Sequence, residues 1–156
     1  MSSTAAEAEY EPVTAAPVQW VVFSCAGERF ALPLERVREI LTPLPFVRLP
    51  GATEEVCGLV GVRSRVVTAF DMGVVLGLSP SHLARDHRLL LVEYGDRTPA
   101  FVVEEVHAVT PVEVALAVSS DGGHATARDM ILGSGEFENV PFHVLDMDRM
   151  LDRLLI

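Results

Sequence analysis

The sequence predicts a mainly β fold, two small antiparallel barrels in tandem with short helices, on three observations. Residues 57–76 (CGLVGVRSRVVTAFDMGVVL) reappear in degraded form at 132–151 (LGSGEFENVPFHVLDMDRML) at a constant offset of 75, with Gly58 matching Gly133 and Phe70-Asp71-Met72 matching Leu145-Asp146-Met147. Upstream, Gly27-Glu28-Arg29 followed by Val37 resembles Gly95-Asp96-Arg97 followed by Val106. Each repeated unit, at about 18–80 and 87–156, holds five short β-prone runs broken by turn residues. Closing such strands into barrels removes exposed edges, and any edge left open is a docking place for a partner. The repeat also compares the chain with itself. Positions that both copies share serve the fold, and positions that differ are candidates for function.

The elements follow in order. Residues 1–17 are small, acidic (Glu7, Glu9, Glu11) and punctuated by proline, which predicts a disordered leader. Gln19–Cys25 is apolar and β-prone, Gly27-Glu28 makes a turn, and Phe30, Leu32 and Leu34 alternate in a second strand. Segment 35–41 (ERVREIL) fits a helical face and strand alternation alike; its echo at 106–110 (VHAVT) decides for a strand. Pro43, Pro45, Pro50 and Gly51 mark an extended connector, then strands at 59–63 and 66–70 flank a tight turn at Ser64. Asp71 is placed to cap a short helix at 72–77 that Gly77 ends. The second unit repeats this, with strands near 88–94, 100–103, 105–110, 131–137 and 141–145. Asp146 caps a terminal helix whose Met147, Met150, Leu151, Leu154 and Leu155 form a core-facing stripe. Residues 117–129 read as a Gly/Ser-rich loop.

Composition narrows the function classes. A net charge of −10 over 156 residues argues against nucleic acid and anionic membrane surfaces. All 12 basic residues are arginine, which removes Schiff-base chemistry and the phosphate-loop lysine. No apolar run approaches the roughly 20 residues that span a bilayer, and no secretory leader is visible. The expectation is a cytoplasmic protein with no membrane insertion. Cys25 and Cys57, 32 residues apart, read as two reduced core thiols.

The same scan finds no reactive centre. His82, His87, His107, His124 and His143 lack metal-ligand spacing, so no metal is expected. GxSxG, GxGxxG and GxxxxGK[ST] are all missing, so neither a catalytic residue nor a cofactor is assigned. Glu54-Glu55 and Glu104-Glu105 point to opposite faces of a strand and read as solvated charges.

What differs between the copies is charge. Glu39 stands against Ala108 and Arg63 against Glu138. The flanking strands are predicted to bring Glu39 and Arg63 together as an ion pair at the rim of the first barrel. An exposed pair contributes little stability, so its reading is a guanidinium held rigid for partner recognition.

The segments ALPLERVREIL (31–41), LPG (49–51), GLVGVRSRVVTAFD within 55–78, RLLLVEYGDRTPAFVVEEV (88–106) and the closing HVLDMDRML resemble the CheW-like chemotaxis coupling family, over about 18–154. The resemblance implies two packed, five-stranded SH3-like barrels. It also implies a non-catalytic adaptor linking the cytoplasmic tips of methyl-accepting chemoreceptors to the CheW-like regulatory domain of a sensory histidine kinase, in rings shared with other CheW-like proteins. Val37 and Glu39 match the family's V-x-E element, Gly58 the glycine opening its G-V-I-N-L-R-G run, and Arg63 the arginine of that run. With the neighbouring Arg65 they form the expected partner-binding set. Gly61-Val62-Arg63-Ser64 replaces the family's Asn-Leu-Arg-Gly, and Thr68 replaces a usual proline, which marks a divergent member of an alternative chemosensory or motility pathway. The alternative is a barrel that shares only the fold and binds a small ligand between its subdomains.

Overall fold

The computed structural model describes residues 18–116 and 130–155, so the leader 1–17 and the loop 117–129 lie outside the described residues. In chain order the elements are β1 (Gln19–Cys25), β2 (Glu28–Pro33), β3 (Val37–Leu41), β4 (Val56–Val62), β5 (Arg65–Asp71), α1 (Met72–Val75), β6 (Arg88–Val92), β7 (Ala100–Val103), β8 (Glu105–Pro111), β9 (Val114–Leu116), β10 (Ile131–Phe137), β11 (Val140–Leu145) and α2 (Met147–Leu154). The ambiguous segment before β3 resolves both ways: Leu34–Arg36 winds as a single 3-10 turn and Val37 enters the strand.

These strands form two sheets, one ordered β8-β1-β2-β11-β10-β9 and the other β3-β6-β7-β5-β4. The repeat survives in element order but not in the partition of the sheets. The β1–β2 hairpin of the first unit pairs with β11 of the second, and the β6–β7 hairpin of the second pairs with β5 of the first. Both seams are parallel and lie at equivalent positions, Val144 beside Ala31 and Ala69 beside Ala100. The boundaries 18–80 and 87–156 therefore do not separate the two sheets. Each unit lends its first hairpin to the other, because β2 and β7 find their outer hydrogen-bond partner only across the repeat.

Two expectations are corrected. The first sheet has six strands, since Val114, Ala115 and Leu116 pair with Gly135, Ser134 and Gly133. Among the described residues, neither strand order closes on itself. Between β3 and β4 the proline-rich connector makes one bridge among the described residues, with Val47 N and Leu59 N each donating to the other's carbonyl at 2.8 Å. Proline lacks the N–H needed to extend that bridge into a ladder.

Three apolar clusters hold the sheets, and strand alternation explains all three. Val21, Phe23 and Cys25 of β1, Leu90 and Val92 of β6 and Phe101 and Val103 of β7 point into a shared core between the sheets. The intervening Leu89, Leu91, Ala100 and Val102 point the other way, into a core with Val60, Val62, Val67 and Ala69. Val22, Ala31, Phe142 and Val144 do the same inside the first sheet. Each sheet thus curls over its own filled interior, and the central strands are buried on both faces. The Met/Leu stripe of α2 is core: Met147, Met150 and Leu151 join the shared cluster.

Both predicted helix caps are present. Asp71 Oδ1 accepts from Val74 N at 3.3 Å, and Asp146 Oδ1 accepts from Arg149 N at 3.1 Å. Gly77 ends α1 in the left-handed region, at φ 78°, where a side chain would be strained.

Candidate partner-binding surface

At the tip of the β4–β5 hairpin, Arg63 and Ser64 both have positive φ, as do Glu138 and Asn139 at the equivalent β10–β11 tip. Such two-residue turns favour Asn or Gly. Arg63 holds its place in spite of its backbone, and its side chain shows what it does there. Nη1 donates to Glu39 Oε1 at 2.6 Å and Nη2 to Glu39 Oε2, a bidentate pair. The Arg63 side chain is 73% exposed and that of Glu39 is 24% exposed. The carboxylate raises the Arg63 pKa further above its ordinary value, through its hydrogen bond and its charge.

The predicted ion pair is therefore formed, and the topology adds its meaning. Glu39 lies on β3 and Arg63 follows β4, the two edge strands of the five-stranded sheet. The pair ties opposite edges of an open sheet across its end. Below it lie Val62, Val67 and Leu91, and beside it Arg38 and Arg65 line the same groove. Arg38 and Arg65 are exposed and have no ion-pair partner among the described residues. A cationic rim thus stands on a chain of net charge −10. Sequence reasoning missed Arg38, although its place next to Glu39 on an exposed strand was the available signal. It also missed Val66, 68% exposed beside Arg65. Because Val66 and Val67 are neighbours in a strand, only one can reach the interior.

The remaining members of the predicted set sit differently. Val37 is buried in the shared core, at a register shift in the β3–β6 ladder. Gly58 lies at a bulge with φ 146°, and a Cβ there would stand 2.4 Å from the Val47 carbonyl oxygen. Gly133 repeats this at the β10–β11 bulge, 2.3 Å from the Ala115 carbonyl oxygen. Both glycines let a neighbouring backbone approach closely, as a position shared by the two copies should. Glu39, Arg63 and Arg65 form one surface; Val37 and Gly58 shape the scaffold beneath it.

A family model described as the CheW-like domain matches residues 19–155. The chain belongs to the CheW-like domain family. Among its relatives, the chemotaxis protein CheW of Bacillus subtilis (strain 168) is 23% identical over 85% of this chain and 86% of its own length. Protein PilI of Pseudomonas aeruginosa is 33% identical over 54% of this chain and 47% of its own. The crystal structure of the scaffolding protein TtCheW from Thermoanaerobacter tengcongensis matches with a TM-score of 0.72, covering 83% of this chain and 89% of that one at 20% identity. This likeness shows the CheW-like fold of two curled sheets.

The two cysteines are unpaired, Cys25 buried and Cys57 half-buried. Burial pushes both thiols up to about 12, from a usual value of 9.0. At neutral pH the free thiols stay protonated, which disfavours nucleophilic attack. No helix among the described residues is long and apolar enough to cross a membrane.

Proposed function

We propose that this CheW-like chain is a non-catalytic cytoplasmic adaptor that couples chemoreceptor tips to the CheW-like regulatory domain of a sensory histidine kinase. It would do so within an array serving an alternative chemosensory or motility pathway. Family membership across residues 19–155 supports this reading most strongly. The surface built on Arg63, Glu39, Arg38 and Arg65 is the proposed kinase-facing site, because an exposed bidentate pair in a strained turn gives the fold little in return. A cationic rim on an acidic molecule steers an acidic partner patch to this end of the sheet. Its mechanism is positional. Sheets with filled interiors hold two partners at a set spacing, so a change in the receptor reaches the kinase as a shift between its states.

The test uses the purified full chain with the cognate kinase regulatory domain and a receptor cytoplasmic fragment. The reading expects one complex containing all three proteins, with the chain required for the other two to co-elute. A chain that binds neither, or leaves their association unchanged, overturns it.

A further inference from the structure

Away from the Arg63 surface, three chemically active side chains converge that are 14 and 11 residues apart in sequence. Cys57 on β4, Asp71 at the end of β5 and His82 in the loop after α1 bring a sulfur, a carboxylate oxygen and an imidazole nitrogen within 4.8 Å of one another. The arrangement is ordered from within. Asp71 is 1% exposed and accepts from Ser81 N at both oxygens, 2.9 Å each, and from His82 N at 2.9 Å. His82 Nδ1 lies 2.6 Å from Asp71 Oδ2. In the tautomer that donates Nδ1–H to the carboxylate, Nε2 is the ring nitrogen left for a ligand, and no hydrogen bond to it is made among the described residues. A carboxylate that fixes a ring in this way is the usual support of a metal-binding histidine.

The cluster is also reachable. His82 is 37% exposed at its side chain, and Cys57 and His82 line one open groove with Phe46, Leu49, Thr53 and Glu54. We propose that Cys57 and His82, with Asp71 orienting the imidazole, bind a thiophilic divalent cation of the zinc class. Thiolate with imidazole suits zinc, whereas magnesium and calcium take oxygen ligands. On binding, the ion replaces the thiol proton, which leaves to solvent as a sulfur–metal bond forms. The remaining coordination positions open to the groove, where water or the exposed Glu54 carboxylate completes them. The ion joins β4 to the 79–82 loop, the two sides of the groove.

Cobalt(II) is the probe, titrated into the full chain as purified, with zinc as competitor. One equivalent should bind with a sulfur-to-cobalt charge-transfer band that zinc abolishes. Cys57→Ala should remove the band, His82→Ala should weaken binding by about tenfold or more, and Cys25→Ala should change neither. Circular dichroism checks that each variant folds. Where one does not, alkylation of the unaltered chain decides, with zinc protecting Cys57 and leaving Cys25 unaffected. A wild-type chain without the band, a band that survives Cys57→Ala, an affinity unchanged by His82→Ala, or a Cys57 that zinc does not protect overturns the site.

Discussion

Arg63 occupies a turn position whose φ of 47° suits asparagine better than arginine. Under the proposed kinase-facing role, this residue separates stability from recognition. Arg63→Asn should hold or raise the thermal midpoint, since the turn relaxes while only an exposed pair is lost, and should weaken kinase binding. Differential scanning calorimetry and a binding isotherm on one preparation check both directions. Gly58 behaves in the opposite way. Gly58→Ala forces a Cβ against the Val47 carbonyl at a positive φ and breaks the bridge between Val47 and Leu59. It should cost about 2–4 kcal/mol in denaturant unfolding. These two residues show what single positions disclose in sequence. Differing charges between the copies located the Glu39–Arg63 pair, and the curl of the sheet brings its opposite edge strands close enough to form it. The burial of Val37 was hidden, because V-x-E reads the same whichever of its residues faces inward.

The repeated hairpin-and-helix element carries one carboxylate in each copy, at Asp71 and Asp146, and their surroundings differ. Asp71 takes three backbone N–H groups, from Val74, Ser81 and His82, and anchors the loop that returns over it. Asp146 caps α2 near the surface. Asp71→Ala leaves buried donors without partners and should destabilise by about 3–5 kcal/mol; Asp146→Ala should cost about 1 kcal/mol. Urea unfolding of the pair measures the contrast. The caps were legible because Asp precedes an apolar helical turn in both copies. The returning loop was not, since nothing local in 79–82 announces a contact eleven residues back. Strand β9 was missed for a similar reason: three residues carry too little alternation to be read, and only pairing with β10 makes Val114–Leu116 a strand. The ties of α2 to the turn before β3 and to the segment before β4, Arg36 with Asp148 at 2.9 Å and Arg153 with Glu55 at 3.1 Å, depend likewise on contacts far apart in sequence.

For the molecule as a whole, exchange of hairpins between the units makes the two sheets interdependent. The fragment 18–80 contains β3, β4 and β5 but neither β6 nor β7, through which β3 connects to the others. Fragments 18–80 and 87–156 should each be unfolded alone by circular dichroism and should regain strand signal when mixed. Mainly β content and duplication were readable because turns and alternation are local. The exchange was not, because β2 carries the same apolar pattern whether it pairs within its unit or across to β11. The proposed adaptor role rests on recognition by a cationic rim at one end of an interlocked scaffold. Its most direct measurement is the affinity of the kinase regulatory domain for three forms of the full chain: wild type, Arg63→Glu, and the exchanged pair Glu39→Arg with Arg63→Glu. The exchanged pair restores the internal ion pair while reversing the charge shown to the partner. The account predicts that both variants bind about tenfold or more weakly than wild type, with thermal midpoints close to it. Wild-type affinity in either variant would contradict it.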